Sequence, residues 1–471
     1  MLQVRRGGLP PGPRGDCALD LAREPLQFIR KVEHEHGRTS AFVAGGRSVV
    51  LTSESTLARR VLLEGSQTQE FCKNGTAFFP NSDLTGAGLL TSDGELWRRQ
   101  RSLSAPAFAP SALRSYIDTI ARCCDELISS TWANGGIVDC LADLNGFTLT
   151  VISAIVFGES EPSAAEGGIA IESSLEVRSA IADALDAFAS RKASLLPLLS
   201  DLQLTRAVGR LNSLLLPLID ERKCSLERGR HVHCLLDRLL SARDEDGNSM
   251  ASSQAKDEVL TLLVAGQETS ATLLTWALAF LAINPSSCEQ VRAEAQAACK
   301  SADGSSGSDH PSYDSLKEMN VTEAVLLETL RLRPPAFMVG RCCDVDNVHI
   351  GDQHSIQRGQ TVLVSPALMH VDAEHWYAPH DFRPSRWLPH LESGSSLFSG
   401  MGINGAYIPF GAGMRNCIGA GLAMTEAKMA LAAVTRHFRI DIPQGGRFPR
   451  ERAGITLRPE SDFKLQITPR D

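Results

Sequence analysis

The sequence predicts a mainly α-helical protein with a small β subdomain, and three features of the 471-residue chain support this fold class. From residue 111 to about residue 240, apolar residues recur at helical spacing with few breaks. Residues 256–284 form one long apolar run. Short alternating segments, which are typical of strands, lie near residues 39–52 and 337–366.

Turn residues and helix-ending residues predict the helices and the hairpin in the first hundred residues. The stretch PLQFIRKVEHEHG has apolar residues at helical spacing and predicts a helix that ends at Gly37. TSAFVAGGRSVVLT predicts a hairpin that turns at Gly45–Gly46. After a loop rich in turn residues, ELWRRQRSL predicts a basic helix.

The long apolar run, KDEVLTLLVAGQETSATLLTWALAFLAIN, predicts one helix that Pro285 ends. Because this helix is apolar on nearly every side, it should lie in the centre of the fold. A membrane span is the alternative, but the polar residues Gln267 to Ser270 in the middle of the run argue against it.

The last third of the chain combines helices with short strands. LKEMNVTEAVLLETLRLRPP predicts an amphipathic helix that stops at Pro334–Pro335. The segment from Phe337 to Pro366 alternates enough to form short strands. A glycine-rich loop then leads to a final helix in MTEAKMALAAVTRHF.

Composition argues against some partners and favours a reducing compartment. The formal net charge of −8 argues against nucleic-acid binding. The twelve cysteines include no C-x-x-C pair, and adjacent pairs such as Cys123–Cys124 are poorly placed for structural bridges. We therefore expect reduced thiols in an intracellular protein rather than a disulfide framework.

The first residues, MLQVRRGGLPPGPRG, contain no apolar signal region and no spanning helix. We expect residues 1–15 to be a flexible Pro/Gly/Arg-rich lead-in and residues 16–471 to form a single domain. The protein is expected to be cytoplasmic or peripheral to a membrane. A plastid or endoplasmic-reticulum location remains open if a segment precedes this chain.

The glycine-rich segment FGAGMRNCIGAG carries one cysteine, Cys417. A dinucleotide-binding loop is disfavoured, because Asn416 stands where a third glycine would be needed and no βαβ pattern surrounds it. A buried, inert thiol is the other alternative. A sulfur at the start of a helix, beside Arg415 and flanked by glycines, instead favours a thiolate that faces a flat ligand. That arrangement suggests haem iron.

Candidate functional residues also lie in the stretches AGQETS, ETLR and WRRQR. In AGQETS, Ala265 and Gly266 leave room beside the helix for a ligand. An acid and a hydroxyl then follow at Glu268 and Thr269, although Thr269 could simply bond back to a carbonyl one turn earlier. ETLR spaces Glu328 and Arg331 as an i,i+3 pair, and such pairs usually lie on the surface.

WRRQR places Trp97 and Arg101 on one helix face and Arg98 and Arg99 toward solvent, where they could meet an acidic electron-donor protein. A zinc site in CSLERGRHVHC, using Cys224, His231, His233 and Cys234, would require an irregular chain.

Phe410, Gly413, Arg415, Cys417 and Gly419 form a pattern that resembles the haem-binding signature of the cytochrome P450 superfamily, in its eukaryotic-type (class E-like) branch. AGQETS resembles the oxygen-activation motif of that family, and ETLR with the later FRPSRWL resembles its buried charge triad. Trp387 replaces the more common phenylalanine there. The motifs follow the family's order, and the resemblance covers nearly the whole chain.

The resemblance implies a role for each candidate residue. The fold should be the cytochrome P450 fold, with haem b between the long central helix and the cysteine loop. Cys417 should be the axial ligand of the iron, and Glu268 and Thr269 should deliver protons on the opposite face. Further cofactor contacts are expected from Phe410, Gly411, Gly419, Trp97, Arg101, Arg341 and Arg415. The structural triad is Glu328, Arg331 and Arg386.

The implied activity is a monooxygenase that inserts one atom of O₂ into an apolar fatty acid, sterol, terpenoid or carotenoid. Because the resemblance covers nearly the whole chain, we expect no room in it for a flavin or iron–sulfur domain, and a separate NAD(P)H-dependent reductase or ferredoxin should supply electrons. Two alternatives are a haem-thiolate hydroperoxide isomerase or lyase, and a haem-binding scaffold without activity. The expected substrate pocket draws on apolar residues that could equally be core: Phe78, Phe79, Leu89, Leu90, Leu263, Phe337 and Met338.

Overall fold

The computed structural model describes residues 8–73, 84–158, 176–184, 187, 197–231, 234–299, 309–350, 354–394, 398 and 400–470. Within these residues the chain is mostly helical with small sheets, which confirms the predicted fold class. Phe78, Phe79 and His233 lie outside the described residues.

Each predicted helix is present, but LKEMNVTEAVLLETLRLRPP, which we expected to be one helix, is divided at Met319 into two. The α-helices of five or more residues include Ala18–Arg23, Pro25–His36, Ser55–Arg59, Gly94–Ser104, Pro110–Ser115, Ile117–Glu126, Cys140–Phe157, Pro197–Glu227, Leu235–Ser241, Ser252–Ile283, Pro285–Ala298, Tyr313–Glu318, Asn320–Leu332, Leu388–Glu392 and Ala420–His437. We call Ser252–Ile283 the central helix and Ala420–His437 the cysteine-side helix.

The central helix is buried over most of its length, as its apolar sequence predicts. It packs against Cys140–Phe157, Asn320–Leu332 and the cysteine-side helix within the largest apolar cluster. By length and composition, Cys140–Phe157 could cross a membrane, and 67% of it is buried inside the protein. The central helix passes the same test only together with Pro285–Ala298, and the two are bent by 116°.

The strands span Thr39–Ala44 (β1), Arg47–Thr52 (β2), Phe71–Cys72 (β3), Gly136–Val138 (β4), Val339–Cys343 (β5), Val348–Ile350 (β6), His354–Ile356 (β7), Thr361–Val364 (β8), Phe438–Asp441 (β9), Glu451–Ala453 (β10), Leu457–Pro459 (β11) and Leu465–Pro469 (β12). The five-stranded sheet has the order β1-β2-β8-β5-β3, in which β2 and β8 run parallel and the other pairs antiparallel. The predicted turn at Gly45–Gly46 joins β1 to β2.

Part of the segment that we expected to be a flexible lead-in is held against β1. The Ala41 N–H donates to the Pro11 carbonyl at 2.9 Å, and a side chain at Gly12 would overlap the Ala41 carbonyl. Leu9 packs against one of the two apolar clusters that flank the sheet. The proline-rich composition therefore reflects an extended, anchored segment over residues 8–15, because proline restricts the backbone without preventing packing.

Candidate active site

The loop that carries Cys417 is closed by backbone hydrogen bonds. The Cys417 N–H donates to the Phe410 carbonyl at 2.8 Å, and the Asn416 N–H donates to Gly413 at 3.1 Å. Gly413 has φ +71°, and a Cβ there would lie 2.0 Å from the Leu62 carbonyl oxygen, so glycine is required. The loop thus packs tightly against the Arg60–Glu64 helical turn and holds its cysteine in one place.

The Cys417 side chain is exposed, although protein surrounds it closely enough to exclude much of the water. Desolvation raises the pKa of its thiol, and the Gly419 N–H and the Arg101 charge oppose this shift. The backbone N–H at the helix start and a nearby arginine therefore favour the thiolate, as predicted, although the arginine is Arg101 rather than Arg415, and in the cofactor-free protein desolvation outweighs both effects. A bound metal ion would deprotonate the thiol. An open thiol within a largely dry site suits a metal ligand better than a packing role.

Arg101 and Trp97, both on the helix Gly94–Ser104, contact the cysteine loop in different ways. The Arg101 guanidinium donates to the Asn416 carbonyl at 2.9 Å and to its Oδ1 at 2.8 Å. Trp97 is buried, and the Arg415 guanidinium lies over its ring at 4.0 Å from the centroid. The helix and the loop are therefore joined on the side where Cys417 lies.

Arg341 on β5 belongs to a buried cluster of cations. Burial and the nearby Arg415 lower the pKa of Arg341 to about 10, and its Nε has no hydrogen-bond partner. Desolvation, Arg341 and Arg415 together lower the pKa of Lys73 well below its usual value. Asp93 opposes these shifts and also bonds to Arg415. The sequence did not single out Lys73 or Asp93, although Asp93 stands at the cap of the Trp97 helix, a recognisable position.

This cation cluster provides a test of whether the residues fit a haem. The buried Arg341 and the partly buried Lys73 and Arg415 face one carboxylate among the described contacts, and a charge removed from water without compensation is costly. Haem carries two propionate carboxylates, which would neutralise the excess charge and give Arg341 Nε an acceptor. The residues therefore fit a haem whose propionates lie at Lys73, Arg341 and Arg415.

The central helix is less buried at AGQETS than on either side of this stretch. Ala265 is exposed between the buried residues Leu263 and Ser270, so the helix faces open space there. Gly266 does not add to this space, contrary to our prediction. A Cβ there would meet Ile152 Cγ1 at 3.1 Å, so its small size serves helix–helix packing instead.

The acid and hydroxyl of this helix bond to different groups. Thr269 Oγ1 donates to the Ala265 carbonyl at 2.7 Å, which leaves its lone pairs able to accept a hydrogen bond. Glu268 Oε1 accepts from Thr456 Oγ1 at 2.7 Å and lies 4.0 Å from Arg458. Glu268 is thereby held toward the β10–β11 hairpin.

Glu328, Arg331 and Arg386 come together as a buried ionic cluster. Arg331 donates to both Glu328 oxygens at 2.8 and 2.9 Å, and Arg386 Nε donates to Glu328 Oε1 at 3.0 Å. Trp387 Nε1 also donates to Glu328, at 2.9 Å, so the substituted aromatic residue adds a donor that phenylalanine could not provide. Neither Glu328 nor Arg331 has exposed surface.

His370 connects this cluster to the cysteine loop. Arg331 donates to the His370 carbonyl at 2.8 Å, and the His370 ring accepts from the Ile408 N–H at 2.9 Å. Burial and the Arg331 charge lower the pKa of His370 to about 3, so its ring is neutral and can accept. Ile408 lies two residues before Phe410, and the cluster thereby positions the start of the loop.

The structure corrects the expectation for Arg99 and bears on the alternatives left open for Phe337. Arg99 does not face solvent: it pairs with Asp244 at 2.7 Å and bonds to Gln254 at 3.1 Å, whereas Arg98 is exposed. For Phe337 the structure favours the core alternative over the pocket, because it is buried in an apolar cluster with Phe28 and Leu26.

The sequence analysis also missed two buried acids on helices that it had predicted. Glu426 on the cysteine-side helix is buried near Ser270 of the central helix, and burial raises its pKa to about 8, which Ser270 partly opposes. Glu258 accepts from the Leu89 N–H at 3.1 Å, and burial raises its pKa to about 7. Because Glu426 lies inside the apolar run of the final helix, the sequence alone could have indicated that this acid is buried.

These acids predict a pH dependence of stability. Both carboxyls have a higher pKa in the folded than in the unfolded chain, so they bind protons more tightly when the protein is folded. Their favourable contribution to the free energy of unfolding is therefore complete below about pH 4.5 and is lost as the pH rises through about 7 for Glu258 and about 8 for Glu426. We expect Glu426→Gln to raise the free energy of unfolding by a few kcal/mol at pH 8 and to flatten the decline in melting temperature between pH 6 and 9.

The matched control is Glu318→Gln at an exposed site. Thermal melting of the haem-loaded variants across this pH range is the measurement. Equal slopes for Glu426→Gln and the parent protein would contradict the assignment.

The helical fold, the open cysteine thiol and the cationic cluster together define a haem-dependent oxidoreductase. The chain belongs to the cytochrome P450 family, whose family model matches residues 7–467. The resemblance stated from the motifs is thereby confirmed, and the protein is a P450 monooxygenase by class.

Relatives and solved structures agree with this assignment. Cyclooctatin synthase of Streptomyces melanosporofaciens is 32% identical over 97% of this chain and 94% of its own length. Pentalenene oxygenase of Streptomyces avermitilis is 28% identical, with coverage of 92% and 91%. The crystal structure of the cytochrome P450DA heme domain shares the fold, with a TM-score of 0.83, 24% identity and 98% coverage of both chains.

Proposed function

We propose that the protein is a haem b monooxygenase that oxygenates a cyclic terpenoid, with electrons from a separate NAD(P)H-dependent donor protein. The observation that carries the cofactor assignment is the buried cation cluster of Lys73, Arg341 and Arg415 beside an open Cys417 thiol. Relatives named for oxygenation of pentalenene and of cyclooctat-9-en-7-ol support the terpenoid class over fatty acids and sterols.

In this proposal each group of residues has one task. Cys417 would hold the iron, and Lys73, Arg341 and Arg415 would hold the propionates. When bound, the haem supplies the oxygen-activating chemistry, which a thiolate ligand favours. Thr269 Oγ1 would accept a hydrogen bond from water on the open side of the central helix, while its own O–H continues to donate to the Ala265 carbonyl. The triad around Glu328 serves to keep the cysteine loop in place.

The substrate assignment is tested by titrating the haem-loaded protein with pentalenene, a long-chain fatty acid and a carotenoid. We expect a high-spin shift of the haem spectrum with the terpene at micromolar concentration and little shift with the others. Product should form only when NADPH and a donor reductase or ferredoxin system are both added. Turnover on NADPH alone, or conversion of a hydroperoxide without O₂ and reductant, would overturn the proposal.

Thr269→Ala tests the proton-handling role. We expect product per NADPH consumed to fall about tenfold or more, because a positioned hydroxyl contributes to proton transfer, while the haem spectrum is unchanged. Thr269→Ser keeps the hydroxyl and is expected to retain most of the coupling. Equal product yields for Thr269→Ala and the parent protein would mean that the bond to Ala265 is the whole role of this side chain.

A further inference from the structure

Two cysteines lie opposite each other at the edge of the five-stranded sheet. β3 and β5 run antiparallel, with Cys72 opposite Cys342 and Phe71 opposite Cys343. Directly opposed side chains in an antiparallel pair point to the same face of the sheet. The register thus brings together two thiols that are far apart in sequence.

The Cα separation of this pair is compatible with a disulfide, although the Cβ atoms of such a pair must move closer together before the bond can form. The Asp344 N–H donates to the Glu70 carbonyl at 2.8 Å, so Glu70 and Asp344 form a hydrogen-bonded pair. Cys72 and Cys342, two residues further along each strand, belong to the same kind of pair, in which the Cα atoms lie about 5.5 Å apart. That separation is within the usual range for disulfide-bonded cysteines. β3 is a two-residue edge strand, so it can adjust.

The thiols already interact in the reduced protein. The Cys72 S–H donates to the Cys342 sulfur, which raises the pKa of Cys72 and lowers the pKa of Cys342 to about 7. Arg47 also lowers the pKa of Cys342, whereas burial and Asp344 oppose this. Cys342 thus ionises more readily, whereas Cys72 is the more exposed of the two thiols. The neighbouring Cys343 instead donates its S–H to the Val345 carbonyl at 3.1 Å.

We propose that Cys72 and Cys342 form a reversible disulfide by exchange with a low-molecular-weight disulfide such as oxidised glutathione. One of the two sulfurs, as a thiolate, attacks the glutathione disulfide, forms a mixed disulfide and releases one glutathione thiolate. The other thiol then gives up its proton, attacks the first sulfur and releases the second glutathione. Two protein thiols are oxidised, and one glutathione disulfide is reduced to two glutathiones.

The position of this disulfide gives it a consequence. Lys73 directly follows Cys72 and Arg341 directly precedes Cys342, so the bond would tie together the two segments that supply these cations. This consequence rests on the proposed haem site, whereas formation of the disulfide does not. Because the bond closes a very long loop, we expect the oxidised protein to melt at a higher temperature than the reduced protein.

The test uses the full-length, haem-loaded protein in glutathione buffers from fully reduced to fully oxidised, followed by alkylation and peptide mass mapping. We expect a linked species that joins residues 72 and 342, appears before any other cysteine pair, and disappears when reduced glutathione is restored. Cys72→Ser should abolish the link, and the control Cys343→Ser should retain it with a similar midpoint.

Three results would overturn the proposal: both cysteines alkylated as free thiols in fully oxidised glutathione, a mixed disulfide on Cys72 or Cys342 that never resolves, or a link through Cys343. The mapping on the parent protein decides between these outcomes even if Cys72→Ser folds poorly. If the disulfide does not form, the haem spectrum and the turnover of the protein are still as expected. If the proposed function is wrong, the haem spectrum or the turnover itself differs from expectation, so the two results can be told apart.

Discussion

Replacing Cys417 with alanine is expected to abolish the long-wavelength Soret absorption band of the reduced, CO-bound protein, because that band depends on the thiolate ligand. Turnover should fall by at least about a thousandfold, because the haem carries the chemistry and the thiolate tunes its iron. Haem content after purification should also fall. The fold should survive, since the Cys417 side chain is exposed and the loop is closed by backbone bonds such as Cys417 N–H to Phe410. CO-difference spectroscopy, haem quantification and far-UV circular dichroism measure these three outcomes.

Cys224→Ala is the matched control, because Cys224 is also an exposed free cysteine and lies on the distant helix Pro197–Glu227. It should leave the CO band and turnover unchanged. If Cys417→Ala kept the long-wavelength band, the sulfur would not be the iron ligand and the whole assignment of the site would be wrong.

Arg331→Ala should be among the most destabilising substitutions in the protein, at about 3–5 kcal/mol, because it leaves the buried Glu328 carboxylate without its main partner. It also removes the donors to the His370 and Pro379 carbonyls. Since His370 bonds to Ile408 just before the cysteine loop, haem retention should fall together with stability. The measurements are soluble yield, melting temperature and haem content.

Arg292→Ala provides a control with the same local geometry. Arg292 also follows a glutamate, Glu289, by three residues and pairs with it at 2.6 Å, but both side chains are solvent-accessible. An accessible pair of this kind contributes about 0–1 kcal/mol. Arg331→Lys keeps the charge but loses the two-pronged contact, so it should be intermediate. Similar losses for Arg331→Ala and Arg292→Ala would show that burial of the triad has no energetic consequence.

The difference between these two pairs illustrates what sequence spacing can predict. Both are glutamate–arginine pairs at i,i+3, and spacing alone indicates a surface ion pair in each case. Only the resemblance to a family marked Glu328 as buried. The hydrogen bond from Trp387 to Glu328 could not be predicted, because it depends on how a segment about sixty residues later folds over the helix.

The sequence by itself determined the helical class, the long central helix, the hairpin at Gly45–Gly46 and the identity of the cysteine that the family motif marks. These features depend on local periodicity, turn residues and short motifs, which are properties of neighbouring positions. The tertiary structure decided which of the polar residues face each other. Lys73, Arg341 and Arg415 form one cluster, Glu268 turns to Thr456, and Gly266 packs on Ile152. Burial and charge interactions arise from contacts between distant segments, and no local pattern encodes them.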